Sequence, residues 1–419
     1  MSYELIILKE LIIWLKGKIR NYFVPPAEKR QNGDYHEKAL CLFLIIMTVC
    51  AGFISVYATE NSSNNNIAVP TEFEQSVIDE VCSQIVESYE EYYTIPQISG
   101  VIREVEPVIG GSNYIVDVSF TKILLADDAS ELPYIQGMTA AVAEIENSAL
   151  KSEAQNNLET RIDELNALYI GAEQEENSSF KVFVPITNTR APNTNSDYTI
   201  TFITESNELP IEAFEPQSED ELYQEGAEAV SLNIAANAAN ARAVTANKTN
   251  PSSATSYDRI RARDYVRDYS CGNCGSSYHS CANTDYTFIS GNDCANFVSQ
   301  AINYAGISRE NNWKPYTTTW INTGWSTSLY GLVEYMVDQG FFFETSSKNK
   351  AFAGSIIYWN QYSHVGMVDA NDTVTMTYCS HTNDRKSSSF KSWTSANRDT
   401  DVKFFVPVWD SYANAYTPR

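Results

Sequence analysis

Basic residues are scarce in this chain. Lysine and arginine total 29 against 53 aspartates and glutamates, a formal net charge of −24. No basic patch with interleaved aromatics stands out, which excludes nucleic acid as a partner. Cysteine is sparse as well, eight in 419 residues, so no dense disulfide framework spans the chain. Residues 71–217 contain no histidine and a single cysteine, Cys82, and nothing in them resembles a site. Long apolar runs are confined to one place, the uncharged stretch Ala39–Ala58 (ALCLFLIIMTVCAGFISVYA).

That stretch is long enough to cross a bilayer. Lys16, Lys18, Arg20, Lys29, Arg30 and Lys38 precede it, which places residues 1–38 in the cytoplasm and everything after Thr59 outside. Val56-Tyr57-Ala58 also fits a signal-peptidase site. Two readings stay open: residues 39–58 as a transmembrane signal anchor that makes the membrane a partner, or a leader cleaved after Ala58 to give a secreted protein. The remaining composition, 43% hydrophobic and 20% charged, is that of a globular protein with room for two or three domains.

Past the polar spacer Asn61–Pro70, Phe73, Val77, Val81, Ile85, Tyr89 and Tyr92 recur at helical spacing. Ile98–Val105 and Tyr114–Leu125 read as strands around Gly110-Gly111, Pro133–Ile170 as a long helical region, and Phe180–Ile186 and Asp197–Thr204 as further strands. Residues 71–217 are therefore expected to be an α+β accessory domain. Residues 218–256, rich in Ala, Asn, Thr and Ser, read as a linker with helical tendency in its alanines. Residues 257–419 form the last expected domain.

Here the chemistry concentrates. Tyr257, Ile260, Arg261, Tyr265, Val266 and Tyr269 make one helical face. The loop after it holds Cys271, Cys274, His279 and Cys281. A zinc site there is strained by the single residue between His279 and Cys281; outside the cell, a disulfide among Cys271, Cys274 and Cys281 is the expectation, with no metal and no cofactor. Gly291–Gln300 (GNDCANFVSQ) reads as a helix start, with Asp293 as N-cap, Cys294 in the first helical position and Gly306 as the stop. Backbone N–H groups and the dipole at a helix start favour a thiolate. A small buried cysteine closing the apolar stripe of Phe297, Val298, Ala301, Ile302 and Ala305 is the competing reading. Downstream aromatics (Trp313, Trp320, Trp325, Tyr330, Tyr335 and Phe341–Phe343) either line a glycan or peptide groove or are buried.

Gly354–Trp359, Val365–Val368 and Val374–His381 read as strands, with Asn371-Asp372 as a two-residue turn. That register sets His364 opposite Cys379 and brings His381 within reach to orient the His364 ring. One extra loop residue reverses the parity and brings Asp384 or Tyr378 into contention. A thiol at a helix start, an imidazole at a strand start and a polar orienter on the next strand are what cysteine acyl transfer requires. Cys379 is a rival nucleophile that lacks the helix dipole.

From Tyr257 to about Trp409 the sequence resembles the putative amidase domain family of Gram-positive bacteria. That family is itself similar to the papain-like hydrolases that include NlpC-type and CHAP cell-wall enzymes. The residues that carry the resemblance are Tyr257-Asp-Arg259 with Ala262 and Tyr265, Asp293-Cys-Ala-Asn-Phe-Val-Ser-Gln300, Gly354-Ser-Ile-Ile-Tyr358, His364-Val-Gly-Met-Val368 and His381-Thr-Asn-Asp384. Ala295 stands where the family more often has Thr, and Ser355 where Asp is common. The resemblance implies a papain-like α+β catalytic domain with Cys294 as nucleophile, His364 as general base and acid, and His381 as third member. It also implies an extracellular amide hydrolase acting on peptidoglycan, through a thioester whose oxyanion meets the Cys294 backbone N–H. A peptidase or acyltransferase acting on surface proteins with the same residues, and a catalytically silent wall-binding module, are the alternatives.

Overall fold

A computed structural model of the protein describes residues 70–185, 198–205, 208–243, 257–272, 281–324, 329–345, 348–390, 402–407, 409–410 and 415–416. The chain divides into two units, Met1–Val69 and Pro70–Arg419, and every described residue belongs to the second. The first described element is helix α1, Glu72–Tyr89. Thr71 caps it: its hydroxyl accepts from the Glu74 N–H (3.2 Å) and the Glu74 carboxylate accepts from the Thr71 N–H (2.8 Å), which satisfies two donors left over at a helix start. Val77, Ile78, Val81, Ile85 and Tyr89 are its buried stripe.

Strands β1 (Tyr93–Val108) and β2 (Gly111–Leu124) follow as a long antiparallel hairpin turning at Gly110. The region read as one long helix is two, α2 (Pro133–Ala143) and α3 (Ser148–Leu168). Asn147 makes the break, its side chain accepting from the Ala149 and Leu150 N–H groups. Strands β3 (Gln174–Pro185), β4 (Thr199–Ile203) and β5 (Glu208–Pro210) complete this half. Residues 219–243, expected to belong to a linker, form helix α4 (Glu219–Ala243). It lies on α2 so closely that a Cβ at Gly137 would overlap the Tyr223 carbonyl and one at Gly226 the Tyr134 carbonyl.

The C-terminal half supplies α5 (Arg259–Tyr269), α6 (Cys294–Tyr304), α7 (Thr318–Ile321) and α8 (Leu332–Asp338). Its strands are β6 (Phe342–Thr345), β7 (Ile356–Trp359), β8 (His364–Asn371), β9 (Met376–Ser380), β10 (Arg385–Ser389) and β11 (Val402–Pro407). One sheet unites both halves in the order β1-β2-β3-β10-β9-β8-β7-β11-β6, with β4 on β3 and β5 on β4. The seam is a short parallel pairing of Ser388 with Asn177.

Buried polar groups lock this seam. Tyr93 donates its hydroxyl to Asp372 (2.8 Å) and the Gln174 amide donates to the same carboxylate (3.0 Å). Lys122 donates to Glu176 and to Thr375, and Tyr89 donates to Glu176 (2.6 Å). Further along, Glu164 of α3 forms ion pairs with Arg259 of α5 (3.1 Å) and with Arg161 (3.3 Å). Both guanidinium groups lie over the Phe352 ring.

The expected fold class needs correcting. Residues 39–58 lie outside the described residues, and among the described residues no helix is long and apolar enough to cross a membrane. The described chain is a mixed α+β fold dominated by one large sheet, against the expected fold class with its N-terminal membrane segment. Sequence periodicity reports which face of an element is buried, not which distant element covers it, so the seam between halves left no local trace. Of the aromatics expected to line a groove or a core, Trp313, Trp320, Tyr335 and Phe342 are buried in the core, and Trp325 lies outside the described residues.

Candidate active site

Helix α6 begins at Cys294 and its residues Cys294–Ile302 are all buried. The polar members of that run are paired inside the fold. Asn296 donates to Asp293 (2.7 Å) and the Thr287 carbonyl (3.1 Å) while accepting from the Trp320 indole (2.8 Å). Ser299 donates to the Trp320 carbonyl (3.0 Å), and Gln300 accepts from the Tyr265 hydroxyl (2.7 Å). The Asp-Cys-Ala-Asn-Phe-Val-Ser-Gln run thus fixes the helix from every side, which sets the position of the thiol at its tip.

Strand β8 begins at His364, directly after Ser363 in a left-handed backbone conformation (φ 49°). His364 and Cys294 lie close enough for each side chain to act on the other's proton, with Cys294 2% and His364 6% exposed. Burial by itself would raise the Cys294 thiol. The hydrogen bond and charge of His364, with the backbone N–H groups of Val365 and Ala295, outweigh it and hold the thiol below its ordinary value. Burial by itself would lower His364; the hydrogen bond and charge of Cys294 and the charge of Glu205 outweigh it, against Arg385, and hold the imidazole above its ordinary value. The two directions together favour a thiolate–imidazolium pair. Cys294 occupies the first helical position, where N–H groups have no partner four residues back, and this is the geometry expected of an oxyanion donor at its backbone.

The other expected site residues are placed differently. Asp293 sits at the N-cap position but makes no side-chain cap; its carboxylate accepts from the Ile289 N–H (2.9 Å) and meets His381 Nδ1 (2.7 Å). His381 Nε2 lies 2.8 Å from the Tyr269 carbonyl. A carbonyl only accepts, so Nε2 carries a proton. The ring also stacks on Phe297 at 3.7 Å. With both nitrogens so occupied, His381 does not orient His364; it ties the start of α6 to the end of α5. Asp384, the alternative, lies between β9 and β10, and His364 Nε2 has no hydrogen-bond partner among the described residues, so neither group binds it there.

The expected hairpin register was displaced. Met367, not His364, pairs with Cys379, and Ala370 pairs with Thr377. The cause is Asp372, whose side chain accepts from the Val374 and Thr375 N–H groups (3.1 and 2.9 Å), spreading the turn over four residues. A bulge between Val368 and Ala370 adds one more. Cys379 accordingly faces Asp369 and Arg267 and is fully buried, and burial, with the Asp369 charge, pushes its thiol up to about 12. Cys271 and Cys281 form a disulfide; Cys274 and His279 lie outside the described residues. Among the described residues no cluster of three or more His, Cys, Asp or Glu could hold a metal ion.

Sequence reading missed the groups around His364 that come from elsewhere. Trp359 pairs with His364 across β7 and β8, rings 5.3 Å apart. Glu205, just past β4, and Arg385, at the start of β10, both act on the imidazole. Glu205 lies far from any motif, and no local signal marks it.

The uncharacterized protein YjcM of Bacillus subtilis (strain 168) is 34% identical over 95 residues, covering 23% of this chain and 20% of that protein. The chain thus spans about a fifth of the length of the curated relative it matches. No solved structure matches, so the papain-like assignment has no structural relative behind it. Residues 256–406, a little more than a third of the chain, match the family model of the putative amidase domain, and the chemistry this match points to is amide hydrolysis.

Proposed function

We propose that this protein is a cysteine-dependent amide hydrolase with Cys294 as nucleophile and His364 as general base and acid. The observation that carries the reading is the buried Cys294–His364 pair at a helix start, its thiol held low and its imidazole held high. The thiolate sulfur attacks the amide carbon and the carbonyl π pair moves to oxygen, where the Cys294 N–H receives it. As the C–N bond breaks, the His364 imidazolium gives its proton to the leaving amine. Neutral His364 then takes a proton from water, whose oxygen attacks the thioester carbon. Expulsion of the sulfur leaves the carboxylic acid product and restores the thiolate–imidazolium pair.

The substrate we assign is a peptidoglycan amide, in the stem peptide or its cross-bridge, outside the cytoplasm. The Cys271–Cys281 disulfide supports an oxidising compartment, and the wall is the abundant amide polymer met there by a bacterial hydrolase. Purified cell wall incubated with the protein should release fragments with new amino and carboxyl termini by mass spectrometry, and Cys294→Ala should release none. Fragments from both proteins would contradict the nucleophile; fragments from neither would contradict the substrate, and turnover of unfolded protein instead would mark a peptidase.

A further inference from the structure

His364 is almost wholly buried, yet its Nε2 has no hydrogen-bond partner among the described residues. A cysteine–histidine pair ordinarily has a third group that sets the ring and stabilises its charged form, and His381 does not serve. A buried carboxylate outside the amidase-like segment is the candidate. Glu205 follows β4 in the N-terminal half, outside residues 256–406. Its side chain is only 4% exposed.

Four side chains on or between β9 and β10 surround that carboxylate. It accepts from the Tyr378 hydroxyl (2.9 Å), the Asn383 amide (2.9 Å), the Arg385 Nε–H (3.3 Å) and the Ser380 hydroxyl (3.4 Å). A carboxylate with this many donors stays ionised in spite of burial. The Tyr378 ring packs on Trp359 at 5.1 Å, and Trp359 packs on His364. The titratable groups acting on the imidazole are therefore Cys294 from α6, Glu205 from beyond β4 and Arg385 from β10. Tyr378 from β9 is neutral, its hydroxyl raised well above the ordinary value by burial and by Glu205. Arg385 disfavours a charged ring and Glu205 favours it; in a site shielded from water such charges act without contact.

We propose that Glu205 is a positioning residue for His364, its buried carboxylate offsetting Arg385 so that the imidazolium form persists beside the Cys294 thiolate. The proposal rests on the hydrolase reading above and deepens it. It assigns the N-terminal half a part in the site, and it makes the amidase-like segment incomplete without that half.

The test is a histidine ring titration by NMR on the full chain in a Cys294→Ala background, which removes the thiolate's own effect. The signal of His364 is assigned by its loss in His364→Gln. Adding Glu205→Gln, which keeps one acceptor oxygen for the Tyr378 hydroxyl, should lower the His364 midpoint by about one pH unit, a tenfold change in proton affinity. Adding Arg385→Gln should move it the other way. A purely structural role for Glu205 predicts no such opposite pair of shifts. A midpoint unmoved by both substitutions, or moved in the same direction by both, overturns the proposal. If Glu205→Gln does not fold, Arg385→Gln decides alone: a rise supports the proposal and its absence overturns it. Wall turnover plays no part in this titration, so its failure and the failure of the hydrolase reading are told apart.

Discussion

Cys294→Ala, His364→Gln and the double variant are each expected to lose about 10⁴-fold or more in amide turnover, the double no slower than the worse single. Non-additivity is the informative part. In the buried pair the thiol is held low chiefly by His364, against the cost of burial, so an imidazole without the sulfur has nothing to activate. A sulfur without the imidazole is a 2% exposed thiol whose burial favours the protonated form. Each variant therefore removes the same unit. Losses that multiply in the double variant would show that the two side chains act in separate steps on separate groups. Circular dichroism of all three should match wild type, because the polar residues that fix α6 stay in place.

Glu164→Gln is expected to cost about 3–5 kcal/mol of stability, read as a fall in the urea midpoint. The carboxylate is the ion-pair partner of two buried guanidinium groups, Arg161 and Arg259, with side-chain exposures of 5% and 2%. A neutral amide leaves both uncompensated. Glu208→Gln, whose partner Lys181 is 26% exposed, should cost no more than about 1 kcal/mol. The pH dependence follows from the direction of the Glu164 shift. Burial would raise its carboxyl, but Arg259 and then Arg161 outweigh burial and hold it below the ordinary carboxylate value. The stability it contributes is present above the unfolded carboxyl value and is lost as pH falls through the lower, folded one. Wild type should therefore lose more stability on acidification than Glu164→Gln does. A Glu164→Gln loss under about 1 kcal/mol would mean that this contact does not lock the two halves.

What could be read from the sequence was local. The stripe of Phe297, Val298, Ala301 and Ile302 marked α6, and the structure buries all four. Strand β8 was expected from Val365 and starts one residue earlier, at His364. Hairpin register failed because Asp372 could be seen as a turn residue but not as the acceptor of two N–H groups that lengthens the turn. The expected register and the resemblance both point to His381, whereas in the structure its Nδ1 meets Asp293 at the N-cap position. Glu205 is the sharpest case. Its donors lie 173 to 180 positions away, and no periodicity or spacing spans that gap. The seam that brings them together depends on a single parallel pairing and a set of buried polar bonds, whose partners are chosen by the folded chain.

The most direct measurement of the central claim is the pH dependence of Cys294 alkylation by iodoacetamide, followed by peptide mass spectrometry. Mapping separates Cys294 from Cys82 and Cys379, whose thiols burial raises to about 11 and about 12. The account predicts a Cys294 rate already on its plateau at neutral pH, falling only on acidification as the thiolate takes a proton. A rate that climbs about tenfold per pH unit from neutrality toward 9, the behaviour of an unassisted thiol, would contradict it.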